Sequence, residues 1–114
     1  MSELPAFTVD VAHPSERETV VSVAGDLDMR TGSELRRLLL GALTSAVVVL
    51  DLSACDFCDS SGLRTIFEAW HAAKAAGVSF RVAGVARGGA RRFGITGFEQ
   101  LVSQFPTVSA ALLG

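Results

Sequence analysis

Several residue types and patterns are scarce in this chain, and each absence excludes a class of protein. Only two cysteines are present, too few for a disulfide-stapled scaffold. The longest unbroken apolar run, Ala46–Leu50, is far shorter than the roughly 20 residues that cross a membrane. No basic segment followed by a long apolar stretch opens the chain, so no signal peptide is predicted. We therefore expect no membrane partner and a cytoplasmic location.

Positive charge is also in short supply. Ten Lys and Arg residues stand against twelve Asp and Glu, which gives a formal net charge of −2 and a pI of about 5.6. A protein that binds the phosphate backbone of nucleic acid needs a basic surface. The charge balance therefore predicts no nucleic-acid partner.

Apolar residues, in contrast, are plentiful enough for a core. The chain has 114 residues, of which 49% are hydrophobic, and its mean hydropathy is +0.41. Disordered chains combine low hydrophobicity with high net charge, so this one is expected to fold. Domains most often hold roughly 100–150 residues, and we predict a single domain over residues 1–114.

The strand pattern predicts a sheet that opens with a hairpin. Phe7–Val11 alternates apolar and polar residues, as a half-buried strand does, and Thr19–Ala24 is β-branched and apolar. The turn-rich segment His13–Arg17 between them predicts the hairpin connection. The apolar run Ala46–Leu50 suits a central strand covered on both faces. Two further strands are predicted, at Ser79–Ala83 and at Leu101-Val102.

The first helix is predicted to start at a capping box. Thr31 and Glu34 have the spacing at which two side chains cap each other's free amides. Apolar residues then recur at the spacing of one helix face. These residues are Leu35, Leu38, Leu39 and Ala42.

A second helix is predicted to begin at Ser60 or Ser61 and to end at Gly77, a residue that terminates helices in the left-handed conformation. Short helices are predicted over Gly89–Phe93 and from Pro106-Thr107 to Leu113. The second helix has one apolar stripe, formed by Leu63, Ile66, Phe67 and Trp70.

Alternation of strands and helices after an opening hairpin predicts an α/β domain. We expect a mixed sheet of about four to five strands flanked by about four helices.

The segment Asp59-Ser60-Ser61-Gly62 directly precedes the second helix. Asp and Ser are common N-cap residues, because their oxygens accept hydrogen bonds from the free amides of the first turn. A helix N-terminus also accommodates a phosphate group, so a serine there could accept a phosphoryl group. The two interpretations are compatible.

The segment Gly25-Asp26-Leu27-Asp28 ends a predicted strand. Two acids at a strand end are most often solvated turn residues, and no third acid or histidine has metal-ligand spacing. Asp51, two residues before a predicted turn at Ser53, is interpreted as another strand-end acid.

Cys55 and Cys58 form a C-x-x-C pair near a strand–helix junction. Such a pair can be a redox motif, which requires a lowered thiol pKa. Asp56 and Asp59 flank the pair, and negative neighbours raise a thiol pKa. No second pair or close histidine completes a zinc site. Packing is the favoured interpretation, with redox chemistry and metal binding as alternatives.

Taken together, these segments resemble the STAS domain, and within it the bacterial anti-sigma factor antagonists. The resemblance spans about Phe7 to Leu113. Its strongest element is D-S-S-G-L after an apolar strand, and G-D-L-D supports it. The segments that carry it are Gly25–Asp28, Val49–Ser53, Phe57–Leu63 and Arg91–Phe98.

The resemblance implies a regulatory protein and not an enzyme. In such proteins the unphosphorylated form binds an anti-sigma factor that is also a serine kinase of the GHKL type, and binding releases a sigma factor. The kinase then phosphorylates the first serine of D-S-S-G, which is Ser60 here, and a serine phosphatase reverses this. ATP and Mg²⁺ belong to the kinase, so no cofactor is expected on this chain, and we expect a monomer when it is free. The partner-binding residues implied are Asp26, Asp28, Asp59, Ser61, Gly62 and Arg64.

Two other functions remain open from the sequence. One is a STAS module that acts as a scaffold or regulatory subunit in a stress-signalling or transport complex. The other is a small thiol oxidoreductase that uses Cys55 and Cys58. An intact Ser60 beside Asp59 favours the phosphorylated antagonist, because a pure scaffold would not need the acceptor.

Overall fold

Five β-strands form one mixed sheet in the computed structural model, which describes residues 7–85 and 102–114. The strand order is β1-β2-β3-β4-β5. β1 is antiparallel to β2, and each later neighbour is parallel. The predicted hairpin and mixed sheet are therefore confirmed. The bounds are β1 Phe7–Ser15, β2 Glu18–Leu27, β3 Val47–Cys58, β4 Ser79–Ala83 and β5 Ser103–Phe105.

Helices connect β2 to β3 and β3 to β4, and another helix follows β5. α1 lies between β2 and β3, α2 lies between β3 and β4, and α3 follows β5. Gly77 ends α2 in the left-handed conformation at φ 75°, as predicted. The bounds are α1 Met29–Gly41, a short 3₁₀ segment Ala42–Thr44, α2 Ser60–Ala76 and α3 Val108–Leu113.

The two faces of the sheet support separate apolar clusters. Alternate residues of a strand point to opposite faces, so β3 contributes Val48 and Leu50 to one cluster and Val49 to the other. α1 and α2 cover the first face and supply its larger cluster. The six-residue α3 packs Ala111 on the opposite face. β3 is thus covered on both sides at its centre, as its apolar run predicts.

The strands extend further than their local patterns indicate. β1 continues to Ser15, so the segment His13–Arg17 is a turn only at its end. β3 continues to Cys58 because it pairs with β2 along that length. Asp51 is therefore inside a strand and not at its end, and its carboxylate accepts a hydrogen bond from the Ser53 N–H at 3.0 Å.

Three other predictions have different outcomes. The last described strand is Ser103–Phe105, because its backbone pairs with β4 from Arg81 onward. Val102 precedes this strand, and Leu101 lies outside the described residues. The final helix ends at Leu113 as predicted, with Thr107 as its N-cap. The helix predicted over Gly89–Phe93 lies outside the described residues.

The apolar stripe of α2 is narrower than predicted. Ile66 is fully buried and Leu63 is nearly so, but Phe67 is exposed and Trp70 is only partly buried. The rings of Phe67 and Trp70 contact each other, with centroids 5.4 Å apart. Small residues on α2, among them Ala69, complete the buried side instead.

Candidate functional site

Two helices begin side by side at one edge of the sheet. β2 and β3 are parallel, and Leu27 is paired with Cys58 at their carboxyl ends. α1 and α2 start just after these residues. The Asp59 N–H donates to the Leu27 carbonyl at 3.1 Å, which ties the two junctions together. The free amides and positive dipole ends of both helices are therefore neighbours.

Asp28 is the N-cap of α1. Its carboxylate accepts hydrogen bonds from the N–H groups of Arg30 at 2.9 Å and Thr31 at 3.3 Å. The Thr31 hydroxyl in turn accepts from the Asp28 N–H at 2.9 Å, which completes a capping box. The prediction that Thr31 caps this helix with Glu34 is wrong. The helix begins at Met29, and Thr31 is the partner of the cap residue.

The Arg30 side chain stabilises the ionised form of Asp28. The Arg30 guanidinium Nη2 lies 3.2 Å from Asp28 Oδ2. This hydrogen bond, helped by the two backbone N–H groups, lowers the pKa of Asp28 below its ordinary value of 3.8 against a smaller effect of desolvation. The sequence assigns Asp28 to partner binding, and the structure adds a capping role in α1.

Asp59 is the N-cap of α2, and Ser60 is the first residue of that helix. Asp59 Oδ1 accepts a hydrogen bond from the Gly62 N–H at 2.9 Å. Ser60 is exposed, whereas Ser61 is partly buried. The start of a helix directly at the D-S-S-G segment, with Asp59 as its cap, is confirmed. An exposed hydroxyl at this position is accessible to a second protein.

Gly62 brings α2 into close contact with the end of β2. A methyl group at Gly62 would lie 2.7 Å from the Leu27 carbonyl oxygen and 2.8 Å from Cys58 Sγ. Gly62 is buried, so its observed role is packing. The partner-binding role predicted for Gly62 gains no support from this position.

Cys55 and Cys58 are buried free thiols beneath this edge. Burial raises the pKa of Cys55, and the carboxylates of Asp56 and Asp26 raise it further. A redox cysteine needs a lowered thiol pKa. The structure therefore favours packing over redox chemistry, as the sequence does.

The charged residues predicted at the site differ in how they are held. Asp26 and Asp59 are partly exposed. The Arg64 side chain is 81% exposed, and its Nε lies 3.8 Å from Glu68 Oε2. Glu68 Oε1 also lies 3.4 Å from Arg36 Nε, so it bridges α1 and α2. Except for buried Gly62, the predicted site residues therefore present surface near the two N-termini.

Two exposed apolar residues at this edge are not among the sequence predictions. Met29 is the first residue of α1 and is 79% exposed. Phe57, near the end of β3, is 45% exposed and is paired with Asp26. The sequence does indicate that Met29 is exposed, because this residue directly follows the strand-end acid Asp28 and is outside the apolar stripe of α1.

Two other features are absent from the described residues. Residues 7–85 and 102–114 contain no group of three or more His, Cys, Asp or Glu side chains arranged to hold a metal ion. No helix within those ranges is long and apolar enough to span a membrane.

Comparison with known proteins identifies the family. The family model of the STAS domain matches residues 9–111. The chain belongs to the STAS domain family. None of the curated proteins that were searched matches it.

Solved structures of anti-sigma factor antagonists superimpose on nearly the whole chain. An anti-sigma factor antagonist from Mycobacterium paratuberculosis is 27% identical with a TM-score of 0.82, covering 99% of this chain and 97% of that one. The unphosphorylated anti-sigma factor antagonist SpoIIAA is 12% identical with a TM-score of 0.72, covering 93% and 94%. The phosphorylated form of SpoIIAA, described as a Bacillus cell fate determinant, is 15% identical with a TM-score of 0.68, covering 90% and 96%. Both SpoIIAA structures share the fold of this chain.

Proposed function

We propose that this chain is an anti-sigma factor antagonist, a regulatory protein and not an enzyme. Its unphosphorylated form binds an anti-sigma factor that is also a serine kinase of the GHKL type, and this binding frees a sigma factor. Phosphorylation of Ser60 ends the binding. The observation that carries the proposal is the exposed Ser60 at the first position of α2. It occurs in a chain similar over its whole length to an anti-sigma factor antagonist.

The proposed reaction uses one atom of this chain. Ser60 Oγ forms a bond to the γ-phosphorus of ATP, the bond from that phosphorus to the β–γ bridging oxygen breaks, and ADP leaves. The hydroxyl proton passes to a base on the kinase, which also holds ATP and Mg²⁺. A separate serine phosphatase hydrolyses the phosphoserine. In this proposal the chain needs no cofactor of its own and acts as a cytoplasmic monomer when free.

The switch in this proposal is local. Phosphorylation adds roughly −1.5 to −2 charges at neutral pH. Within the free domain, the dipole and amides of α2 favour that charge by about 0.3–1 kcal/mol, while the neighbouring Asp59 opposes it. The net effect on stability is therefore small. At an interface built for neutral Ser60, like-charge juxtaposition costs several kcal/mol, and each ~1.4 kcal/mol is tenfold in affinity.

The test is phosphorylation by purified anti-sigma factor kinases from the organism that encodes the chain. With Mg²⁺ and ATP, wild type and the matched control Ser61→Ala should each gain one phosphoryl group by intact mass, and Ser60→Ala should gain none. A peptide map that places the phosphate mainly on Ser61 would refute the site. Failure of every such kinase to bind or modify the wild type would refute the function.

The same phosphorylated protein tests the local switch. Its amide NMR shifts should change around residues 57–64 and the adjacent residues 25–30, while affinity for the kinase falls by orders of magnitude. Widespread shift changes in the centre of β3 and in β4 would indicate a global rearrangement and contradict this mechanism.

A further inference from the structure

Large apolar side chains are exposed at several places among the described residues, and two of them lie at the edge that contains Ser60. Met29 and Phe57 are 79% and 45% exposed. Single exposed apolar residues are normal on a soluble protein. A pair at one functional edge is different, because exposed apolar groups bordered by polar ones mark interaction sites.

The backbone explains why these two side chains face outward together. Leu27 and Cys58 are paired and fully buried at the ends of β2 and β3. Phe57 directly precedes Cys58 and follows a register shift in the pairing of β2 with β3, between Gly25 and Asp26, and its side chain is exposed outside that core. Met29 lies just beyond the cap residue Asp28, on the exposed first turn of α1. The two apolar side chains therefore extend from the adjoining junctions that also present Ser60.

The polar surroundings of this pair carry an excess of negative charge. Four carboxylates lie at the two junctions, and the Arg30 guanidinium pairs with one of them, Asp28. Arg64 is one turn into α2 and lies closest to Glu68. The other three carboxylates belong to Asp26, Asp56 and Asp59.

We propose that Met29 and Phe57 are the apolar anchors with which this edge docks onto the anti-sigma factor, in an apolar recess bordered by Lys and Arg side chains. The proposal rests on the proposed function and adds the chemistry of the partner's surface. Interface anchors of this kind are large side chains that become fully desolvated at the centre of the contact. Acids at the rim mainly raise the association rate and its dependence on salt.

The experiment measures binding kinetics of the unphosphorylated protein with the anti-sigma factor kinase that modifies it. Met29→Gln and Phe57→Thr should each weaken binding by about tenfold or more, mainly through faster dissociation. Leu113→Gln is the matched control, because Leu113 is 90% exposed on α3, which packs on the opposite face of the sheet from α1 and α2, and it should stay within about twofold of wild type. Asp56→Asn should slow association and flatten its salt dependence.

Melting curves by circular dichroism establish that each variant is folded before binding is measured. Wild-type affinity in both Met29→Gln and Phe57→Thr would overturn the anchors and leave the proposed function standing. An equal loss in Leu113→Gln would also overturn them, since the effect would not belong to this edge. If wild type binds no anti-sigma factor, the proposed function and the anchors fall together.

Discussion

The N-termini of α1 and α2 lie side by side at one edge of the sheet and are capped in different ways. Both helices follow parallel strands, and both have an aspartate as N-cap. At α1, the Asp28 carboxylate accepts hydrogen bonds from the N–H groups of Arg30 and Thr31 and from the Arg30 guanidinium. The Thr31 hydroxyl in turn accepts a hydrogen bond from the Asp28 N–H. At α2, the structure records one bond to the cap carboxylate, from Gly62 to Asp59, and Ser60 remains exposed.

This difference leaves the Thr31 hydroxyl bonded at the α1 end and the Ser60 hydroxyl exposed at the α2 end. The polar side chains of Asp28, Arg30 and Thr31 at the start of α1 are bonded to one another, so a new charged group on them would have to break existing bonds. At α2 the Asp59 carboxylate accepts its hydrogen bond from the Gly62 N–H, two residues after Ser60. The Ser60 hydroxyl takes no part in that bond and can be modified without its loss. The same kind of cap thus leaves the polar side chains bonded to one another at one helix end and a serine hydroxyl exposed at the other.

The largest effect is expected where the two helix ends are packed together. Gly62→Ala places a methyl group 2.7 Å from the Leu27 carbonyl oxygen. Overpacking of this kind costs typically 1–3 kcal/mol, and we expect about that loss in the free energy of unfolding, measured by urea denaturation. The tie between Asp59 and Leu27 should weaken with it, seen as faster amide exchange at Asp59.

Gly41→Ala is the matched control for this prediction. Gly41 is the last residue of α1, has helical dihedral angles and has nothing within 4 Å of an added methyl group. Alanine is favoured over glycine in a helix by up to about 1 kcal/mol, so this variant should be as stable as wild type or more so. Equal stability of Gly62→Ala and Gly41→Ala would contradict the packing role of Gly62.

The buried cysteines beneath the α2 end should have the next largest effect. Replacing Cys55 and Cys58 together by alanine removes two buried sulfur atoms and leaves small cavities. We expect a loss of roughly 1–2 kcal/mol in unfolding free energy, with phosphorylation of Ser60 and partner binding retained. Loss of partner binding after mild oxidation of wild type, absent in the double variant, would instead support redox regulation.

Thiol reactivity gives an independent measurement on the same residues. Because burial raises the pKa of Cys55, the folded protein should react slowly with a thiol reagent at neutral pH, and the urea-unfolded protein should react quickly. Rapid reaction of the folded protein would contradict the packing interpretation.

Removing each cap in turn compares the two helix ends directly. Asp59→Ala should cost about 1 kcal/mol, as the loss of an N-cap typically does. Asp28→Ala should lower the Tm more than Asp59→Ala, because the Asp28 carboxylate accepts more hydrogen bonds. A larger Tm loss for Asp59→Ala would reverse the ranking of the two ends.

The pH dependence of this difference has a defined sign. The pKa of Asp28 is lower in the folded protein than its ordinary value of 3.8. Its carboxylate therefore contributes stability that is fully present above pH 3.8 and is lost as the pH falls through the folded value. The Tm gap between wild type and Asp28→Ala should be constant near neutral pH and should shrink in acid below 3.8. A gap that widens in acid would contradict the lowered pKa.

The smallest effect is expected from the exposed ion pair. Arg30→Gln removes the hydrogen bond that does most to lower the pKa of Asp28, so that pKa should rise toward its ordinary value in a carboxyl ¹³C NMR titration. Exposed ion pairs contribute little to stability, and the Arg30 side chain is largely exposed, so the Tm should barely change. An unchanged Asp28 pKa would show that the hydrogen bonds from the backbone amides alone account for the lowered pKa.

Much of the architecture was predictable because it rests on local patterns. The apolar run Ala46–Leu50 predicts a strand covered on both faces, and β3 has such a centre. Residues Ser79–Ala83 form β4 as predicted. Gly77 ends α2, because glycine adopts a positive φ without steric cost.

The errors occur where long-range pairing or a choice between similar caps decides the outcome. Asp28 and Thr31 are both residue types that commonly cap helices. Because β2 ends at Leu27, the helix starts directly after Asp28, which is therefore the cap. The polar second half of β3, which contains Asp51 and Asp56, is a strand because β2 pairs with it. Phe67 follows the helical period of a buried residue, but the buried side of α2 is completed by Ala69.

Sequence alone predicts the alternation of strands and helices, the cap chemistry of Asp59 and the candidate acceptor Ser60. These features depend on residue type and spacing within one segment. The folded structure is needed to show that α1 and α2 begin side by side, that Gly62 is buried against Leu27 and that Met29 and Phe57 are exposed at the same edge. The physical reason is that these relations depend on the register between β2 and β3, which joins residues some thirty positions apart.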